Sequence, residues 1–210
     1  MNKSKKIKFI IKEHVLNNKR EYITVLLIFI IGIFLGVFFV NNMQEMQKSE
    51  LSTYMSEFIQ KLKETKELSY MELLKTSFVQ NMILAIIIWF FGTTVIGIPI
   101  VFGVDLYRGF CLGYTISTCI YIMGLKKGII FILISLMLQN LLFIPAILAL
   151  SVSGFKLYKS IVKDKRKENI KVEIIRHTVF SLLMLIILLL SSIIETFIST
   201  NILTKLIKYF

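Results

Sequence analysis

The chain has 210 residues, 56% of them hydrophobic and 18% charged, with a formal charge of +12 at neutral pH. Such a length suits one domain, but the apolar fraction exceeds what a water-soluble fold of that size hides in a core. The positive charge does not point to nucleic acid, because the cations crowd beside apolar blocks, without aromatic interleaving or zinc-finger spacing, as juxtamembrane residues facing anionic lipid do.

Residues 1–21 carry Lys3, Lys5, Lys6, Lys8, Lys12, Lys19 and Arg20, with Ile7, Ile10, Ile11, His14 and Val15 recurring at helical spacing. The pattern predicts a basic amphipathic helix lying on the cytoplasmic membrane surface, its lysines toward lipid headgroups. Residues 22–40 follow as an apolar block long enough, at about 1.5 Å per residue, to cross a hydrocarbon core of about 30 Å. The sequence at its end, Phe38-Phe39-Val40-Asn41-Asn42, offers no small-x-small cleavage site, so the block reads as an uncleaved anchor.

Between residues 41 and 77 the composition turns to mixed charge, six Glu against five Lys, with Leu51, Tyr54, Phe58 and Leu62 along one side of a helix. An amphipathic helix of this kind packs on the bilayer surface, on the other membrane helices or on a partner protein. The second crossing is expected over 78–104, too long for one straight helix, with a kink or a break at Gly97 and Pro99. Asp105 and Arg108, three residues apart, then either pair or simply mark a tight cytoplasmic turn before a third crossing at 109–123, which carries Cys111 and Cys119 as small membrane-buried hydrophobes.

A turn at Gly124, Lys126, Lys127 and Gly128 leads into a fourth crossing at 128–153 that contains Gln139, Asn140 and Pro145. Those two intramembrane amides need hydrogen-bond partners on neighbouring helices, or they line a substrate path. Residues 156–176 form the most basic loop, and the fifth crossing occupies 178–198, with Glu195 near its far end, where a carboxylate still reaches water.

The expected fold is thus all-α: a single polytopic membrane domain over 1–210 with about five transmembrane helices and amphipathic interfacial helices. With the N-terminus inside and the C-terminus outside, 1–21, 105–108 and 156–176 place sixteen Lys and Arg in the cytoplasm and nine outside, as the positive-inside bias requires. Segment 41–77 is then extracytoplasmic. Small residues recur at a spacing of four: Gly32 with Gly36, Gly109 with Gly113, and Gly124 with Gly128. Such pairs let helix backbones approach closely, within one chain or between copies in a homo-oligomer.

No nucleophile–base pair, paired carboxylates on one helix face, metal-ligand cluster or phosphate-cradling loop is legible, so no catalytic, cofactor or metal site is expected. The run Phe78-Val-Gln-Asn81, then Gly92 and Gly97, then Arg108-Gly109-Phe110-Cys111-Leu112-Gly113, resembles the membrane family of stage II sporulation protein M. Its members resemble one another by an F-x-x-N entry to a Gly-bearing helix and a later G-x-x-x-G helix. The five-helix layout, the basic amino end and the length agree. One departure is in the fourth helix, where this chain reads Gln139-Asn140-Leu141-Leu142-Phe143-Ile144-Pro145 in place of a His-Gly-x-x-Glu-like group.

The resemblance implies a non-enzymatic scaffold of sporulation engulfment, in the mother-cell membrane at the septum. It would recruit two peptidoglycan-degrading partners, stage II sporulation proteins D and P. The partner-contact residues are then expected at Leu51, Tyr54, Phe58 and Leu62. The competing expectation is a permease-like subunit of a transporter, in which Gln139 and Asn140 would line the path.

Overall fold

A computed structural model describes residue 16 and residues 18–64, 69–163 and 170–206, with the side chains of 62–64, 163 and 204–206 left aside. The expected surface helix at 1–21 lies outside the described residues except for its last few. Among those described, the chain is helical and contains no strand: α1 (Lys19–Asn41), α2 (Glu45–Glu64), α3 (Tyr70–Gly92), α4 (Ile98–Ile132), α5 (Leu138–Lys163), α6 (Ile170–Ile193) and α7 (Thr200–Leu206). Two π-helical turns, Leu133–Met137 and Ile194–Ser199, join α4 to α5 and α6 to α7.

Among the described residues, four apolar stretches are long enough to span a membrane, and one of them, Ile98–Val162, runs for 65 residues. It is not one rod. Gly124 lies within α4 at φ 77° and ψ 166°, a backbone region open to glycine alone. Past that break the chain folds back, and a Cβ at Gly128 would stand 2.8 Å from the Cys119 carbonyl oxygen. The stretch is therefore a hairpin, and the described residues form five long apolar rods.

Their relative directions follow from which residues meet. Along α4 and α5, Phe102 meets Phe155 edge to face, Asp105 bonds Ser151 and Arg108 lies over Phe143, rising numbers against falling, so these rods are antiparallel. Along α3 and α6, Ser77 meets Glu195, Asn81 meets Ser192 and Trp89 meets Thr178, again antiparallel. Along α1 and α4 the numbers rise together, with Phe29 at Gly109 and Ile33 at Gly113, so those two are parallel. The rods alternate in direction.

The second crossing does not run over 78–104. Helix α3 stops at Gly92, where the hydroxyls of Thr93 and Thr94 donate to the Phe90 and Phe91 carbonyls at 2.6 and 3.0 Å and close off the last turn. Helix α4 starts at Ile98 with Gly97 as its cap and Pro99 in its first turn, where a missing N–H costs nothing. The turn is thus 93–97, and Asp105 and Arg108 lie inside a membrane-length helix rather than in a cytoplasmic loop. The third rod begins eleven residues before its expected start at 109.

Glycines set the closest approaches. A Cβ at Gly32 would collide with the Leu106 carbonyl oxygen, one at Gly36 with that of Phe110, one at Gly109 with that of Phe29 and one at Gly113 with that of Ile33. All four lie on the α1–α4 seam, so these small-residue pairs are used within the chain. Across the bundle, a Cβ at Gly154 of α5 would stand 2.9 Å from the Gly92 Cα of α3. The main core gathers Leu84, Ala85 and Ile88 of α3, Val101 of α4, Ala146, Ile147 and Leu150 of α5, and Leu188 of α6. Outside, Phe34 and Phe38 of α1 are 70% and 65% exposed, the inverse of a soluble fold and the surface that lipid covers.

Candidate functional site

Two features stand apart from packing. The first is α2, which lies against one end of the bundle. Met55 and Ile59 pack onto a cluster of Cys119, Phe131 and Leu203, and the Lys48 ammonium lies over the Tyr121 ring at 5.6 Å. Helical geometry puts Met55 and Ile59 on one face, one turn apart, and Tyr54 and Phe58 on a neighbouring one. Tyr54 and Phe58 are exposed, whereas Leu51 is half-buried; the Leu62 side chain lies outside the described residues. The expected four-residue contact face is thus split, with Leu51 turned partly inward.

The second feature is a polar cavity of 170 Å³ within the bundle. It is lined by Ser77, Gln80 and Asn81 of α3, Arg108, Cys111 and Thr115 of α4, Gln139, Asn140 and Phe143 of α5, and Glu195 of the second π-turn. Its depth is fixed by its neighbour in sequence: Gly109 sits against Phe29 and Ile33, in the middle of α1. Arg108 is therefore deep in the apolar part of the bundle, where charge is stable only with partners, whereas Glu195 bonds Ser77 near the start of α3.

The hydrogen bonds around the cavity are unevenly distributed. Glu195 Oε2 accepts from Ser77 Oγ and from Gln139 Nε2, each at 2.7 Å. Asn81 Nδ2 donates to the Leu188 carbonyl at 3.1 Å and to Ser192 Oγ at 2.7 Å, tying α3 to α6. Gln139 thus finds the neighbouring-helix partner that an intramembrane amide needs, and Asn140 lines the cavity beside it. The Arg108 guanidinium lies over the Phe143 ring at 5.3 Å. No carboxylate among the described residues comes within ion-pair distance of it. Asp105 is fully buried and takes a 2.9 Å bond from Ser151 Oγ on Oδ1, while Oδ2 has no partner among the described residues; it makes no ion pair with Arg108.

Glu195, near the far end of the fifth rod, is half-buried among the helices and lines the cavity. Arg108 and Glu195 were both missed as cavity residues, Arg108 because it was assigned to a loop and Glu195 because distance along one helix hides what packs beside it. Their presence inside apolar runs was the available signal.

A third arrangement is unforeseen by sequence. Ser153 Oγ lies 2.9 Å from His177 Nδ1, and His177 Nε2 lies 3.4 Å from the Trp89 carbonyl oxygen. The imidazole is 2% exposed and wedged beside Gly92, and both its nitrogens are engaged in joining α3, α5 and α6.

Residues 25–200 match the family model described as Stage II sporulation protein M. The chain belongs to that family. The matched span holds every residue of the cavity, the α1–α4 seam and the whole of α2, and leaves out the basic amino end. In this family member the resembling residues have visible work: Asn81 ties α3 to α6, and Gly109 and Gly113 admit α1. Family membership makes the chain a sporulation-related protein, and its apolar helices fit a multi-pass membrane protein. No curated protein and no solved structure matches it.

Proposed function

We propose that this family member is a non-enzymatic scaffold of the sporulation membrane, crossing it five times with the N-terminus inside and the C-terminus outside. In this reading it sits in the mother-cell membrane at the septum, where engulfment proceeds. It recruits peptidoglycan-degrading partners there, the stage II sporulation proteins D and P, which carry the hydrolytic chemistry.

The observation that carries the reading is α2. It is fastened to the bundle by Met55, Ile59 and Lys48, and it holds Tyr54 and Phe58 outward at 69% and 40% exposure. Aromatic side chains held on a rigid element are the usual anchors of protein contacts. Charge supports the orientation. With the turn at 93–97 and Arg108 within its helix, residues 1–21 and 156–176 place fifteen Lys and Arg inside against nine outside. Helix α2 then faces the cell-wall side, where the partners act.

The test is a Tyr54→Ala/Phe58→Ala variant expressed during sporulation, with tagged partners imaged at the septum. The partners should disperse while the variant itself stays in the membrane; normal partner positions would sink the assignment. A permease-like transporter subunit is the second reading, favoured by the polar cavity, and it calls for an ATPase partner because this chain has no Walker-type loop.

A further inference from the structure

Arg108 and Glu195 line the same cavity without meeting. Two opposite charges in a low-dielectric interior gain most by closing on each other, so a space kept between them calls for something polar to fill it. Arg108 keeps its N–H donors without a carboxylate among the described residues. Glu195 uses Oε2 for Ser77 and Gln139, and Oε1 receives no hydrogen bond from a described residue. Asp105, one turn from Arg108, accepts from Ser151 through Oδ1, and its buried Oδ2 has no partner among the described residues; it makes no ion pair with Arg108 and does not line the cavity. The site therefore offers a cation at one wall and a carboxylate oxygen at another.

We propose that this cavity binds a small zwitterion, an anionic group seated on Arg108 and a primary ammonium on Glu195. The volume of 170 Å³ is close to the roughly 150 Å³ of an engineered cavity that takes benzene, so it suits about six to ten non-hydrogen atoms. Gln80 and Asn140 add amide groups that fix orientation, as the few polar groups of a ligand site do. Both π-turns contribute to the wall, Leu136 from one and Glu195 from the other, and such turns inside helices recur at functional sites. Gln80 is exposed, so the cavity opens to the outer surface of the bundle beside α3. Two sources share the chemistry: a free amino acid and the phosphoethanolamine headgroup of a lipid.

The experiment uses the full chain in nanodiscs. In discs of equal phosphatidylethanolamine and phosphatidylcholine, the lipid retained on mild delipidation is weighed by native mass spectrometry. In discs of phosphatidylcholine alone, thermal unfolding is followed against added alanine and against trimethylglycine, which has no N–H on its nitrogen. Phosphatidylethanolamine enrichment without an alanine effect assigns a lipid headgroup; an alanine shift without enrichment assigns a free zwitterion. Arg108→Gln should weaken the responding ligand about tenfold or more, as loss of charged hydrogen bonds does, with Arg108→Lys retaining part of the binding. Glu195→Gln should erase the preference for the primary ammonium. Wild-type protein that neither enriches the lipid nor shifts with alanine overturns the proposal, as does an equal response to trimethylglycine.

Discussion

Adding one methyl group to two glycines of the same helix should have opposite effects. Gly109 and Gly103 both lie in α4. A Cβ at Gly103 meets nothing within 4 Å, so Gly103→Ala adds only the helix preference of alanine, about 0.5–1 kcal/mol of stability. A Cβ at Gly109 collides with the Phe29 carbonyl oxygen and stands 3.1 Å from its carbon and 3.2 Å from the Ile33 nitrogen, all of them backbone atoms that no rotamer change can move. Overpacking of that kind costs about 1–3 kcal/mol, which outweighs the helix gain. In a chain of this length about 1 kcal/mol moves the melting temperature by roughly 2–4 °C. Gly109→Ala should therefore lower it by a few degrees and Gly103→Ala should raise it by one to a few, both read by circular dichroism in the same detergent. Gly32 lies on the same seam, so a Gly32→Ala/Gly109→Ala double variant should lose less than the two single losses together, because one separation of α1 from α4 relieves both clashes. If Gly109→Ala melts at or above the wild type, the two backbones do not touch there and the reasoning fails.

Gly124→Ala should destabilise by about 1–3 kcal/mol although its Cβ would meet nothing within 4 Å, because its backbone conformation excludes side chains; thermal unfolding checks this. Asn81→Leu removes the donor to Leu188 and Ser192 and should cost about 0.6–1.7 kcal/mol, the range for interhelical hydrogen bonds in membranes; a stability equal to wild type would mean α3 and α6 are not tied there. In a background lacking Cys111 and Cys119, Tyr54→Cys should react much faster than Met55→Cys with a membrane-impermeant maleimide applied to intact cells. Equal rates would contradict the packing of α2, and reaction only after lysis would reverse the proposed orientation.

The helical class and the membrane solvent were readable from the chain, because long apolar blocks bounded by charge have few other meanings when backbone polar groups must be satisfied without water; the family was readable only through the resemblance carried by Phe78, Asn81 and the Gly109–Gly113 pair. The α1 block was legible to within a few residues because, within Lys19–Asn41, the stretch 22–40 carries no charged residue. What composition could not resolve was the boundary between α3 and α4, since Gly92, Gly97 and Pro99 permit a kink, a break or a full turn. Only the capping threonines and the contacts of α4 with its neighbours decide for a turn. That one decision moved Arg108 from a cytoplasmic loop into the bundle and brought it to the cavity that Glu195 and Gln139 share. Helical periodicity likewise gave α2 an amphipathic character but not its contact face, because Leu51, Met55 and Ile59 are as apolar as Tyr54 and Phe58. A sequence records which residues shun water; which of them meet each other, and which charges are left facing a space, depends on packing between segments far apart in the chain.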